Sequence, residues 1–247
     1  MNKKPIVALA QIKYFDKSTT NNLNKILYYI RRAKEEHADI VCFPESCLHK
    51  KDSLKINHEI IKNILEECKK NSIWCIITDD IQKKNKKIYN TAILIDRNGK
   101  MRGEYKKIHL YGDKTSAGNK AFVFKTDFGK IGIAICWDLA FPGLFRRMKS
   151  MGAQIVFCPS MWEGYDLGMH NDAKREFDIL KSLVLSRAYE NIFFVALCNP
   201  TKNSRYLIPY SVICSPTKVL KEIKSKEGLI VQKINLEEIK KLHEIHE

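Results

Sequence analysis

No apolar run in this chain approaches the roughly 18 residues that cross a membrane as a helix, so no membrane partner is expected. The opening stretch "MNKKPIVALAQIKYF" carries two lysines, but Gln11 and Lys13 interrupt its apolar run. It is too short and too broken for a secretory signal, and a cytoplasmic protein is the expectation. Cys-x-x-Cys pairs are absent, and the seven histidines do not fall at ligand spacing with one another or with cysteine. No structural metal site is expected from such a pattern. Glycine and proline, 11 and 7 of 247 residues, nowhere concentrate into a linker, and no repeat or low-complexity tract divides the sequence. One domain over residues 1–247 is expected.

Acidic residues are the scarcer charge, 28 against 43 Lys and Arg, which leaves a formal net charge of +15. That excess makes nucleic acid the first partner to weigh. The lysines are scattered, with local clusters in "QKKNKK" (82–87) and "KVLKEIKSKEG" (218–228). Arginine, the better fork for phosphates and base edges, is sparse by comparison, and no nucleic-acid fingerprint occurs. A solvated lysine-rich surface is the reading, with no specific nucleic-acid partner.

What the chain does have is eight cysteines, 45% hydrophobic residues and 29% charged residues, the composition of a globular protein. Cys42, Cys75, Cys158, Cys198 and Cys214 sit inside apolar runs. In a chain of this length with no secretory signal they read as small reduced core residues rather than a disulfide framework.

Short aliphatic runs alternate with helical patterns. "PIVALAQI" (5–12), "ADIVCF" (38–43), "IWCIITD" (73–79), Lys130 to Ile135, "QIVFCPS" (154–160), "IFFVALCN" (192–199), "LIPYSVICSP" (207–216) and "GLIVQKI" (228–234) read as strands. Residues 86–107 read as a hairpin around Asn98-Gly99. Helices are expected over 21–37, 56–71, 178–191 and 236–245, and from Pro142 to a stop at Gly152. That helix would carry Leu144, Phe145, Met148 and Met151 on one face. Alternating elements with hairpins mixed in predict an α/β layered fold with mixed sheets.

At three strand ends an apolar run stops and a chemically active group follows. "DIVCFPES" puts Glu45 beyond a strand, "GEYKKIHL" puts Lys106 and Lys107 there, and "IGIAICWD" does the same for Cys136. In open α/β sheets functional groups gather at the carboxyl ends of strands, so these can converge although far apart in sequence. Each also has a plainer reading: a buried thiol at a strand tip, a solvated loop carboxylate, a surface lysine pair.

The motifs "FPES", "YKKIHL", "CWDLAFP" with "GAQIVFCPS", and "SRAYENIFFVALCN", in that order, resemble the nitrilase superfamily, the carbon–nitrogen hydrolases, over nearly the whole chain. The resemblance implies a four-layer α-β-β-α sandwich, pairing into homodimers, and a Glu-Lys-Cys triad carried by Glu45, Lys107 and Cys136. Lys107 is taken over Lys106 because it stands two residues before His109-Leu110, where the family's lysine falls. Such a triad cleaves small amides with no metal or organic cofactor. The carboxylate serves as general base, the thiol attacks, and the ammonium with the Trp137 backbone N–H steadies the oxyanion.

Two departures stand out. Many members read Phe-Pro-Glu where this chain has Phe141-Pro142-Gly143. Many also carry a second pocket glutamate between lysine and cysteine, where this chain offers only Asp113. Trp162 resembles a position that lines the acyl pocket. His170, Asp172 and Arg175 are read on a loop beside it, with Arg175 either a substrate anchor or a surface charge. An amidase acting on a small linear amide or N-carbamoyl compound is the first expectation. A nitrilase and a catalytically silent binding member of the fold are the alternatives.

Overall fold

The computed structural model describes residues 4–15, 19–50, 53–112, 114–164, 172–201 and 207–246. Strand alternation decides its layering, because successive side chains point to opposite faces of a sheet. In β1 (Ile6–Gln11), Val7 and Leu9 face one buried layer while Ala8 and Ala10 face another. The same split recurs in β2 (Ile40–Cys42) and β4 (Trp74–Gln82). There Ile40, Cys42, Trp74 and Ile76 share the first layer, and Val41, Cys75 and Ile77 share the second. A strand buried on both faces must lie in a central sheet, and this one has a second sheet on one side and helices on the other.

The helical side is made by α1 (Leu23–Glu35) and α2 (Glu59–Asn71). Ile26, Tyr29, Ile30 and Ala33 repeat at the helical period and are buried. His58 caps α2 by accepting from the Ile60 amide, and Ser72 ends it in the left-handed region at φ 48°. The first sheet runs β13 (Gly228–Lys233), β1, β2, β4, β5 (Ile88–Ile95) and β6 (Met101–Lys106), with the two-residue β3 (Leu54–Lys55) beside β4. β1, β2 and β4 are parallel, and β5 and β6 continue antiparallel, so β6 again points the same way as β2. The β5–β6 turn holds Gly99 at φ +68°, where an added Cβ would meet the Leu65 carbonyl oxygen at 2.3 Å.

The second sheet runs β12 (Val219–Lys224), β11 (Tyr210–Cys214), β10 (Phe194–Cys198), β9 (Ile155–Pro159), β8 (Lys130–Ile133) and β7 (Val123–Lys125). Its three central strands are parallel. α3 (Pro142–Ser150) and α4 (Asp172–Asn191) cover its outer face, with Phe145, Met148, Leu180, Val184 and Ala188 buried. The result is the expected four-layer α-β-β-α sandwich with mixed sheets, and α5 (Glu237–His246) follows β13. Each aliphatic side chain closed between the layers contributes about 1.5–3 kcal/mol relative to exposure.

Several boundaries differ from the sequence reading. Strand β8 ends at Ile133, two residues before the expected end; the Ala134 amide makes a last bond to the Phe157 carbonyl at 3.0 Å, and the chain then turns at Cys136. The lysine-rich stretch 218–228 contains β12, an edge strand whose Lys221 and Lys224 face solvent, a common protection of sheet edges. Helix α4 begins at Asp172, six residues before the apolar period that marked it. Asp172 and Arg175 are therefore helical rather than in a loop, and His170 lies outside the described residues. Met151 is 42% exposed just past the end of α3, while Leu144, Phe145 and Met148 are buried as expected. All eight cysteines are buried free thiols. Among the described residues no helix is long and apolar enough to cross a membrane.

Candidate active site

Strands β2, β6 and β8 each release one chemical group just beyond their carboxyl ends. After β2, the Phe43 amide still donates to the Ile76 carbonyl, Pro44 breaks the ladder, and Glu45 follows. Its side chain is 3% exposed and is held by three donors among the described residues. Oε1 accepts from Lys107 Nζ at 2.9 Å and Asn90 Nδ2 at 2.9 Å, and Oε2 accepts from the Met161 amide at 3.0 Å. Lys107 stands immediately past β6, its amide donating to the Asn90 carbonyl, with a side chain 3% exposed. Alternation sends its neighbour the other way, and Lys106 Nζ lies 4.1 Å from the centre of the Tyr89 ring.

Cys136 opens a short 3-10 turn, Cys136–Ala140, at φ +46°. A non-glycine residue in the left-handed region costs on the order of 1 kcal/mol, so its surroundings must hold it there. Two groups do so. The buried Asp138 accepts from the Ile135 amide at 3.0 Å and the Tyr105 hydroxyl at 2.7 Å through Oδ2, and from the His109 amide at 2.9 Å through Oδ1. His109 Nδ1 lies 2.8 Å from the same Oδ1. On the far side of the turn the buried Arg187 donates from Nε to the Leu139 carbonyl at 3.0 Å.

Glu45, Lys107 and Cys136 line one cavity of about 180 Å³ together with Trp137, Trp162 and Glu176. Burial and the Glu45 carboxylate push the Cys136 thiol well above its ordinary range, against the opposing pull of the Lys107 ammonium. At neutral pH the site therefore rests as a thiol beside an ion pair, with a carboxylate available to accept the thiol proton once a substrate is seated. Trp137 is half-buried, its ring 5.6 Å from that of Trp162 and 4.8 Å from that of Tyr111. Trp162 is buried, and its amide donates to Asn199 Oδ1 at 3.1 Å.

Of the residues singled out in the sequence, the cavity brings together Glu45, Lys107, Cys136, Trp137 and Trp162. Asp113 lies outside the described residues. Arg175 pairs with Glu176 at 3.5 Å and borders a separate open hollow on the outside of α4 rather than this cavity. Gly143 is exposed, and a Cβ there would meet nothing within 4 Å, so the segment after the cysteine is held by Asp138 and Arg187 instead of a carboxylate at 143. Sequence reasoning passed over Asn90, Asp138, Glu176 and Arg187. Asp138 and Arg187 lay inside quoted motifs without being separated from them. Asn90 sits mid-strand and Glu176 in a polar helical turn, and neither carries a local signal.

The sequence model of the carbon-nitrogen hydrolase family matches residues 6–244. The chain belongs to the carbon-nitrogen hydrolase family. Curated relatives of this hydrolase include the 2-oxoglutaramate amidase of Bacillus subtilis (strain 168), 28% identical, with 91% of this chain matched to 88% of that protein. The deaminated glutathione amidase of Dictyostelium discoideum is 31% identical, over 90% of this chain and 84% of its own length. Among solved structures, Nit3 of Saccharomyces cerevisiae, a member of branch 10 of the nitrilase superfamily, superposes with a TM-score of 0.83 at 26% identity. That match covers 98% of this chain and 94% of Nit3. The carbon-nitrogen hydrolase is thus an enzyme of the nitrilase superfamily, as the motif order implied, and stands on its amidase-like side.

Proposed function

We propose that this carbon-nitrogen hydrolase cleaves the C–N bond of a small linear amide or N-carbamoyl compound through a thioester on Cys136. As the substrate carbonyl approaches, Glu45 takes the thiol proton and Sγ bonds to the carbonyl carbon. The electron pair displaced onto oxygen is held by the Lys107 ammonium and the Trp137 backbone N–H. Collapse of this intermediate expels the amine, which takes the proton back from Glu45. Water then gives a proton to Glu45 and attacks the thioester carbon, releasing the acid, and Cys136 recovers its proton.

The observation that supports this reading most is the meeting of a buried thiol, carboxylate and ammonium in one cavity, with the thiol held at positive φ. The cavity, at about 180 Å³, is below the roughly 300–1,000 Å³ of drug-sized pockets, which favours a small substrate. The amidase names of the relatives favour amides over nitriles. An ammonia-release screen over linear amides, carbamoyl amino acids and nitriles tests it. Amides or carbamoyl compounds should release ammonia, and Cys136→Ala should abolish release while leaving the unfolding midpoint near that of the parent. Release that persists in Cys136→Ala would refute the thioester.

A further inference from the structure

A buried carboxylate that the cleavage chemistry does not use faces the same cavity. Glu176, in the second turn of α4, is 8% exposed and lines the pocket with Cys136. Its Oε2 accepts from Trp162 Nε1 at 3.4 Å and its Oε1 from the Arg175 guanidinium at 3.5 Å, both at the long end of the range, so the carboxylate retains acceptor capacity. Gly164 makes room for it, since a Cβ there would stand 3.0 Å from Glu176 Cγ.

The remaining lining has the same character. Lys107 is the one cation among the described lining residues, and Glu45 neutralises it; Arg175 reaches Glu176 from outside this lining, at 3.5 Å against 2.9 Å for the Lys107 pair. The rings of Trp137 and Trp162 supply π faces, and Glu163 adds a second carboxylate at the rim. Aromatic faces beside carboxylates attract an ammonium, and repel a carboxylate that would lose its hydration there.

We propose that the amide taken by this site carries a positively charged amino group at the end away from the scissile bond, seated against Glu176 and the Trp137–Trp162 pair. Glu176 is then the residue that sets substrate charge. This rests on the amidase reading above and narrows it.

Ammonia release from three linear amides of similar length tests it: 4-aminobutanamide, pentanamide and succinamate. The expected order of kcat/KM is cation, neutral, anion, with about tenfold or more between the first and last. Glu176→Gln should lower the cation-to-neutral ratio by about tenfold, carried by KM rather than kcat. Turnover with succinamate preferred, or an unchanged ratio in the variant, overturns this proposal and leaves the amidase reading standing. Ammonia from none of the three overturns this proposal, and the amidase reading falls with it only where the wider screen of amides and carbamoyl compounds also releases none. A measurement on the unaltered enzyme needs neither turnover nor a variant. Butylammonium should slow alkylation of Cys136 by iodoacetamide and butyrate should not, and the reverse result overturns the proposal.

Discussion

The charge state of Cys136 follows mainly from three contributions of different sign, the largest of five. Burial raises the thiol, the Glu45 carboxylate raises it further, and the Lys107 ammonium lowers it. Glu45→Gln keeps an oxygen for Lys107 and Asn90 but removes the second of these, so the thiol pKa must fall and the thiolate fraction at a fixed pH must rise. Under the proposed mechanism the same substitution also removes the group that accepts the thiol proton. We therefore expect two opposite effects from one change. Amide turnover should drop by about 10²–10⁴-fold. The pH midpoint for alkylation of Cys136 by iodoacetamide should move down relative to the parent. Intact-mass kinetics across a pH series read the second effect, and a midpoint that stays put or rises would remove Glu45 from its place beside the thiol.

At the scale of elements, what matters is how the loop after β2 keeps Glu45 still. Asp79, near the far end of β4, ties that loop down by accepting from the Leu48 amide at 2.7 Å and the His49 amide at 3.2 Å. Burial pushes its carboxyl up to about 7, although those amides and that of Asp80 pull it down. In the unfolded chain an aspartate titrates near 3.9. Between about pH 4 and 7 the folded protein therefore binds more protons at Asp79 than the unfolded chain does. Its contribution to stability is full below that window and lost as pH rises through it, at no more than about 1.4 kcal/mol per pH unit. Asp79→Asn should remove this slope. Urea unfolding of parent and variant from pH 4.5 to 8 should show the parent losing stability relative to the variant toward neutral pH, and parallel curves would count against it. The longer elements and the β5–β6 hairpin were legible because the apolar runs, Asn98-Gly99 and Pro142 act locally, whereas the short β3 and β7 and the lysine-rich β12 were not. The meeting of Glu45, Lys107 and Cys136 in one cavity was legible because strand ends and motif order mark them. Asp79, Asn90 and Glu176 were not, because each works through groups 30 or more residues away or on another layer, and their local sequence reads as strand or polar helix. The 3-10 turn that begins at Cys136 was equally hidden, since the strand pattern "IGIAIC" runs straight through the point where pairing stops.

Across the whole molecule, the four layers close so completely that thiol access separates one cysteine from the other seven. Cys136 is 8% exposed, while the other seven are no more than 1% exposed. Cys198 shows how far the interior is closed: its Sγ, from β10 in the second sheet, reaches the Cys42 carbonyl of the first at 3.3 Å. Reagent can reach such thiols only when the layers part, and opening of a packed core costs close to the global unfolding free energy. The cavity that Cys136 lines with Glu45 and Lys107, by contrast, opens to the surface without unfolding. Native protein treated with iodoacetamide above neutral pH should therefore gain one carbamidomethyl group, mapped by peptide mass to Cys136, and then stop. The same protein in denaturant should gain eight. Rapid labelling of a second cysteine in the native state would show that the sandwich opens in a unit smaller than the whole fold. Loss of the single native adduct on saturation with an amide substrate would tie that reactive thiol to the cavity that binds it.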